Sequence, residues 1–187
     1  GGRILASAKN ITTDPGSIMT AAGTEKGGEI RLAAKDTVYA SGKVEAGSTA
    51  GKGGKVQVTG ERVALIQAEV DVSGKSGGGM VLVGGDYLGK NPEVSNAKAV
   101  VMTSDSVIRA NATENGDGGK VILWSDEYTG FYGEIFARGG IESGNGGFVE
   151  TSSKDNLQAF GTVISSAANG EGGLWLLDPY DVTIVTP

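Results

Sequence analysis

With no cysteine and no histidine in 187 residues, the chemistry open to this chain falls to carboxylates, lysines and aromatic rings. Disulfides, thiolate nucleophiles and imidazole bases are excluded. Asp178 and Asp181 are the carboxylates closest to a paired arrangement, followed by Asp126 and Glu127. Cleavage of a glycosidic bond needs two carboxyl groups set across it, so a polysaccharide hydrolase or lyase would have to work from such pairs. Asp178 also precedes Pro179, an arrangement that serves a turn equally well. Neither the EF-hand loop nor the calcium-binding nonapeptide repeat is present. No metal or cofactor is expected. The candidate binding residues are the aromatic group Trp124, Tyr128, Phe131 and Tyr132, because ring faces stack on sugars or anchor a protein partner. The competing expectation is that these rings cover a corner of the fold.

Acidic residues outnumber basic ones by 22 to 16, for a formal net charge of −6. The cations are scattered along the sequence, which argues against a nucleic-acid partner. Glycine is abundant at 33 residues, yet Val, Ile and Leu recur in short alternating runs that a disordered chain lacks. No apolar run approaches the roughly 18 residues of a membrane helix. The chain opens on Gly1-Gly2-Arg3, without an initiator methionine or signal peptide, and reads as a segment (1–187) of a longer protein.

What must position any site is a repeat. Gly-Gly, one variable residue and a hydrophobic one recur seven times, beginning at Gly1, Gly27, Gly53, Gly78, Gly118, Gly146 and Gly172. The spacings are 26, 26, 25, 40, 28 and 26 residues, a period that marks a repeat architecture. Each repeat opens with strict alternation. Its first inward position reads Ile4, Ile30, Val56, Val81, Val121, Val149, Trp175, and its second Ala6, Leu32, Val58, Val83, Leu123, Thr151, Leu177. A second strand is expected around Ile11, Val38, Val63, Val101 and Leu157, and a third over 17–20, 43–46, 69–72, 106–109, 134–137 and 162–165. Three strands and three turns per repeat predict a right-handed parallel β-helix of about seven coils. A β-sandwich or propeller would place Asn-Gly or Asp-Gly turns between paired runs. Here such dipeptides fall only before the Gly pairs. The pairs themselves suit a turn with positive φ.

Stacked coils turn each repeat position into a ladder. The outward ladder runs Arg3, Glu29, Lys55 and then Met80, Lys120, Phe148, Leu174; the next carries Leu82, Ile122 and Leu176. Apolar residues on an outer face need a cover. The 40-residue repeat supplies one, an insertion at about 84–99 that either folds over Met80, Leu82 and Ile122 or projects as a recognition loop. As a cover it should bury Tyr87 or Leu88. The closing run 174–185 is apolar and carries no polar cap, so further coils are expected beyond it.

The Gly-Gly coils, the string Gly-Gly-Met-Val-Leu-Val-Gly-Gly-Asp-Tyr at 78–87 and the closing Gly-Gly-Leu-Trp-Leu-Leu-Asp-Pro-Tyr-Asp-Val-Thr-Ile at 172–184 resemble filamentous-haemagglutinin-like exoproteins. That resemblance spans nearly the whole chain. It implies a β-helical protein exported by two-partner secretion through an outer-membrane transporter, secreted or held at the bacterial surface. The implied roles are adhesion, biofilm formation, host-factor binding or toxin display, with a host surface protein, a glycan or the biofilm matrix as partner. The family's amino-terminal secretion domain is not recognisable in these residues, so the segment is expected to be stalk. The expectation is a non-enzymatic scaffold; a carbohydrate-active β-helix enzyme or a toxin-delivery stalk is the alternative.

Overall fold

The computed structural model describes residues 1–180. Three faces wind about one axis. The first face is built by β1 (Arg3–Thr12), the opening of β3 (Glu29–Glu45), β4 (Lys55–Thr59), β6 (Met80–Val83), the opening of β9 (Lys120–Phe131), β11 (Phe148–Ser153) and β14 (Leu174–Leu176). The second takes the latter part of β1, the middle of β3, β5 (Arg62–Asp71), β7 (Ala97–Met102), the end of β9 and β12 (Asn156–Ala159). The third takes β2 (Ile18–Thr20), the end of β3 and of β5, β8 (Val107–Arg109), β10 (Glu134–Phe136) and β13 (Thr162–Ile164). Every strand pairing is parallel and joins neighbouring coils, for instance Ile4 to Ile30 and Val121 to Val149. This is a parallel β-helix. The described residues hold six complete coils and the first strand of a seventh, about 30 Å of rod at one strand spacing per coil.

The inward ladder of the first face follows the expected register, from Ile4 through Ile30, Val56, Val81, Val121 and Val149 to Trp175. On the second face the fourth coil differs. Val100, paired with Val63 and Thr129, is the buried residue, and Val101 lies one place off the inward row. The register slips between Ala97 and Ala99 as the strand resumes after the insertion.

The Gly pairs have a different cause from the one expected. None of them has positive φ; Gly77, Gly116 and Gly144, which precede the pairs, do. What demands glycine is close backbone approach. From the pair at Gly27 onward, the second glycine donates its N–H back to the end of the third strand, Gly28 to Ala21 O at 2.9 Å, Gly54 to Ala46 O at 2.8 Å and Gly119 to Ala110 O at 2.6 Å. A Cβ at Gly27 or Gly53 would collide with a main-chain carbonyl of that same corner.

Candidate functional site

The insertion occupies residues 84–96, between β6 and β7, and carries one 3-10 turn at Tyr87–Gly89. Asp86 caps that turn, accepting from Tyr87 N at 2.7 Å, from Asn91 Nδ2 at 2.8 Å and from Lys120 Nζ at 3.0 Å. Burial alone would raise the Asp86 carboxyl, but these donors hold it below its usual value. Gly84 O accepts from Ala97 N at 2.6 Å, which closes the segment at its base.

Beneath it, Leu82, Ile122, Trp124 and Val94 form a second buried cluster separate from the solenoid interior, with Met80 and Phe148 at its edge. The insertion therefore covers the outer face. The covering side chain is Val94, not Tyr87 or Leu88. Tyr87 is 46% exposed and meets Phe148 edge-on at 5.7 Å, and Leu88 is half-buried. Tyr87 is turned outward because the cap at Asp86 fixes the turn on which it sits. Leu88 takes left-handed backbone angles, φ 53°, and points its N–H at both oxygens of Glu150 at 3.3 Å.

Glu150 is the residue that sequence reasoning missed. It stands in the outward ladder between Ile122 and Leu176 and is fully buried. Burial pushes its carboxyl above the usual range, against bonds from Leu88 N–H and Ser152; Asp178 adds to the rise and Lys120 opposes it. Its apolar neighbours one coil away on either side were the available signal.

The four candidate aromatic residues do not form one surface. Phe131 is fully buried inside the solenoid, edge-on to Trp175 at 6.2 Å, because alternation along β9 turns 129 and 131 inward. Trp124 points outward but is sealed under the insertion, where its indole N–H has no hydrogen-bond partner. Only Tyr128 and Tyr132 remain on the surface. Their hydroxyls are 2.9 Å apart and hydrogen-bonded to each other, Gln158 Oε1 lies within reach as acceptor for the remaining proton, and Tyr132 stacks on Phe160 at 6.1 Å. The bond to Tyr132, with burial, pushes the Tyr128 hydroxyl up to about 12.

Of the candidate carboxylates, Asp126 and Asp178 share a cleft of about 570 Å³ between the insertion and the last coil, with Lys90 and Lys154. Asp126 accepts from Asn96 Nδ2 at 3.2 Å. Asp181 lies outside the described residues, as does the end of the run 174–185. A larger groove of about 1090 Å³ follows the Gly pairs along the rod.

No protein-family model matches the chain, and no curated protein matches it. Among solved structures, the chain is similar to the HMW1 secretion domain from Haemophilus influenzae, with 28% sequence identity and a TM-score of 0.55. The likeness covers 95% of this chain and 48% of that one, so the chain spans about half its length. That neighbour is by name a secretion domain, whereas the expectation from sequence is stalk.

Proposed function

We propose that this chain is a β-helical scaffold segment of an exported bacterial surface protein, carried to the outside through an outer-membrane transporter and serving adhesion rather than catalysis. The observation that carries the reading is the parallel solenoid joined to its likeness, over 95% of the chain, to a secretion domain. Repeated coils with opposite charges paired between neighbours, such as Arg3 with Glu29 and Arg109 with Glu69, suit a rod whose work is length and rigidity. The test expresses the exoprotein that contains this segment in a Gram-negative host, with and without its transporter, and probes intact cells with antibody to the segment. Surface and medium signal that depends on the transporter is expected. Signal confined to the cytoplasm of both strains would overturn the reading.

A second reading rests on the cleft that brings Asp126 and Asp178 together with Lys90 and Lys154. Paired carboxylates beside cations are what a carbohydrate-active enzyme uses. Release of reducing ends from acidic polysaccharides, lost in Asp126→Asn and Asp178→Asn, would establish it; no release from any of them would remove it.

A further inference from the structure

We propose that residues 85–96 form a pH-sensitive lid over the outer face, seated in acid and released as the pH rises. The backbone of this segment is self-contained. Its main-chain hydrogen bonds are Gly89 to Asp86 O at 2.7 Å, Lys90 to Tyr87 O at 3.1 Å and Val94 to Asn91 O at 3.1 Å. None joins it to a coil among the described residues. The bond from Ala97 N to Gly84 O closes its base, where Gly84 takes φ 74°, an angle glycine adopts freely. Lifting the segment therefore breaks no strand pairing.

Three polar contacts tie it to the coils, and each ends on a carboxyl group. Leu88 N–H points at Glu150 at 3.3 Å, Lys120 Nζ meets Asp86 at 3.0 Å, and Asn96 Nδ2 meets Asp126 at 3.2 Å. Apolar contact is limited to Val94 on Leu82, Ile122 and Trp124, and to Tyr87 on Phe148. The seat also carries costs that lifting relieves. Leu88 holds left-handed backbone angles, which a residue with a Cβ disfavours. Trp124 Nε1 and Asn96 Oδ1 are buried without a hydrogen-bond partner among the described residues, and both side chains lie against Gly89 of the turn.

Two carboxyl groups on this seam answer to pH with opposite sign. Burial raises the Glu150 carboxyl and Asp178 adds to the rise, against Leu88 N–H, Ser152 and Lys120. Its share in seating the lid is present below the open-state value of about 4.3 and is lost as pH rises through the seated one. Burial would raise Asp86 as well, but Asn91, Tyr87 N–H and Lys120 hold it below its ordinary value. That share is present above about 3.9 and is lost as pH falls through the seated value. The lid thus sits most firmly near pH 4, and Glu150 loosens it from there upward. The other titratable groups along the seam are Asp126, Lys90, Lys154 and Tyr180, in the cleft beside Leu88 and Asp178. Once ionised, Glu150 is a carboxylate shut between Ile122 and Leu176 in its ladder, and lifting the turn returns it to water. Release bares Leu82, Ile122 and Trp124 while the coils stay intact.

Amide hydrogen exchange read by mass spectrometry, corrected for the intrinsic rate at each pH, tests the lid on the parent chain from roughly pH 4.5 to 8. Protection across 85–96 is expected to fall several-fold, by at most about tenfold per pH unit. Peptides covering 120–125 and 148–153 should keep theirs. Glu150→Gln retains an acceptor for Leu88 N–H without the charge, and should hold the segment at its acid level throughout. Asp86→Asn should lower protection over the whole range yet keep the fall with pH. Level protection of 85–96 in the parent would overturn the proposal, as would a Glu150→Gln variant with the parent's slope. Protection lost equally in the coils would also overturn it, because the solenoid and not a lid would then be opening.

Discussion

The outward ladder of the first face has two halves that differ in what lies over them. In its first two coils Leu5 is 57% exposed and Arg31 is bare. At the same repeat position, Leu82, Ile122 and Glu150 are shut away. Strand alternation decides which side chains point out of a solenoid, but not whether outside means solvent. A 13-residue insertion, 84–96, turns one stretch of outer face into a second, smaller core. The comparison also explains why a carboxylate can stand in that ladder: Glu150 finds a donor in Leu88 only because the insertion supplies one.

The largest effect tests the axis shared by both halves. Val121→Asp, with a lone carboxylate inside the solenoid, should cost more than about 3 kcal/mol in urea unfolding. Lys120→Asp, one residue earlier, is expected from sequence to cost little. The structure raises that expectation, because Lys120 holds Asp86 and lies 5.7 Å from the Tyr87 ring centre. The loss should fall near 1 kcal/mol and show as loosening of the insertion. Equal losses in the two variants would break the inside–outside register.

Within the ladder itself, Ile122→Ala should cost about 2–4 kcal/mol, and Leu5→Ala less than about 0.5 kcal/mol. Similar values would mean that the covered half is no core at all.

Glu150→Gln sharpens the same contrast. The folded protein holds the Glu150 carboxyl above its unfolded value. That group's stabilising share is therefore present below the unfolded value of about 4.3 and is lost as pH rises through the folded one. The glutamine variant should melt higher than the parent at pH 7, and the gain should shrink as the pH is lowered toward 4. A gain independent of pH would assign it to packing.

The smallest effect falls on the half-buried pair Tyr128 and Tyr132. Tyr132→Phe removes the hydroxyl shared with Tyr128 and Gln158, for under about 1 kcal/mol. The Tyr128 titration should fall from about 12 toward its ordinary value, read by ultraviolet absorbance.

The coils were legible because Ile4, Ile30, Val56 and Val81 repeat both the period and the alternation that a parallel ladder needs. The need for a cover was legible in Leu82 and Ile122, apolar where alternation points outward. Its contacts were not. Val94 covers and Tyr87 does not because Asp86 fixes the turn between them, and a cap's consequences appear only in three dimensions. From sequence the four aromatic residues stand as one group, which the strand itself divides. Tyr128, Gly130 and Tyr132 alternate with Thr129 and Phe131, so the period-two rule that placed Val121 also sends Phe131 inward. Glu150 was masked by its own type, since a carboxylate in an outward place reads as solvated, and only its ladder neighbours Ile122 and Leu176 pointed to burial.

The central claim, that the insertion makes a second core on the outer face, is tested most directly by exchanging it. Gly84 O and Ala97 N already meet at the base of the segment, so residues 85–96 can be replaced by a Gly-Glu turn like Gly60-Glu61 of the preceding coil. Sedimentation velocity and circular dichroism then read the result. The solenoid should keep its β-signal while the bared Leu82, Ile122 and Trp124 drive self-association. A variant that stays monomeric and as stable as the parent would contradict the claim.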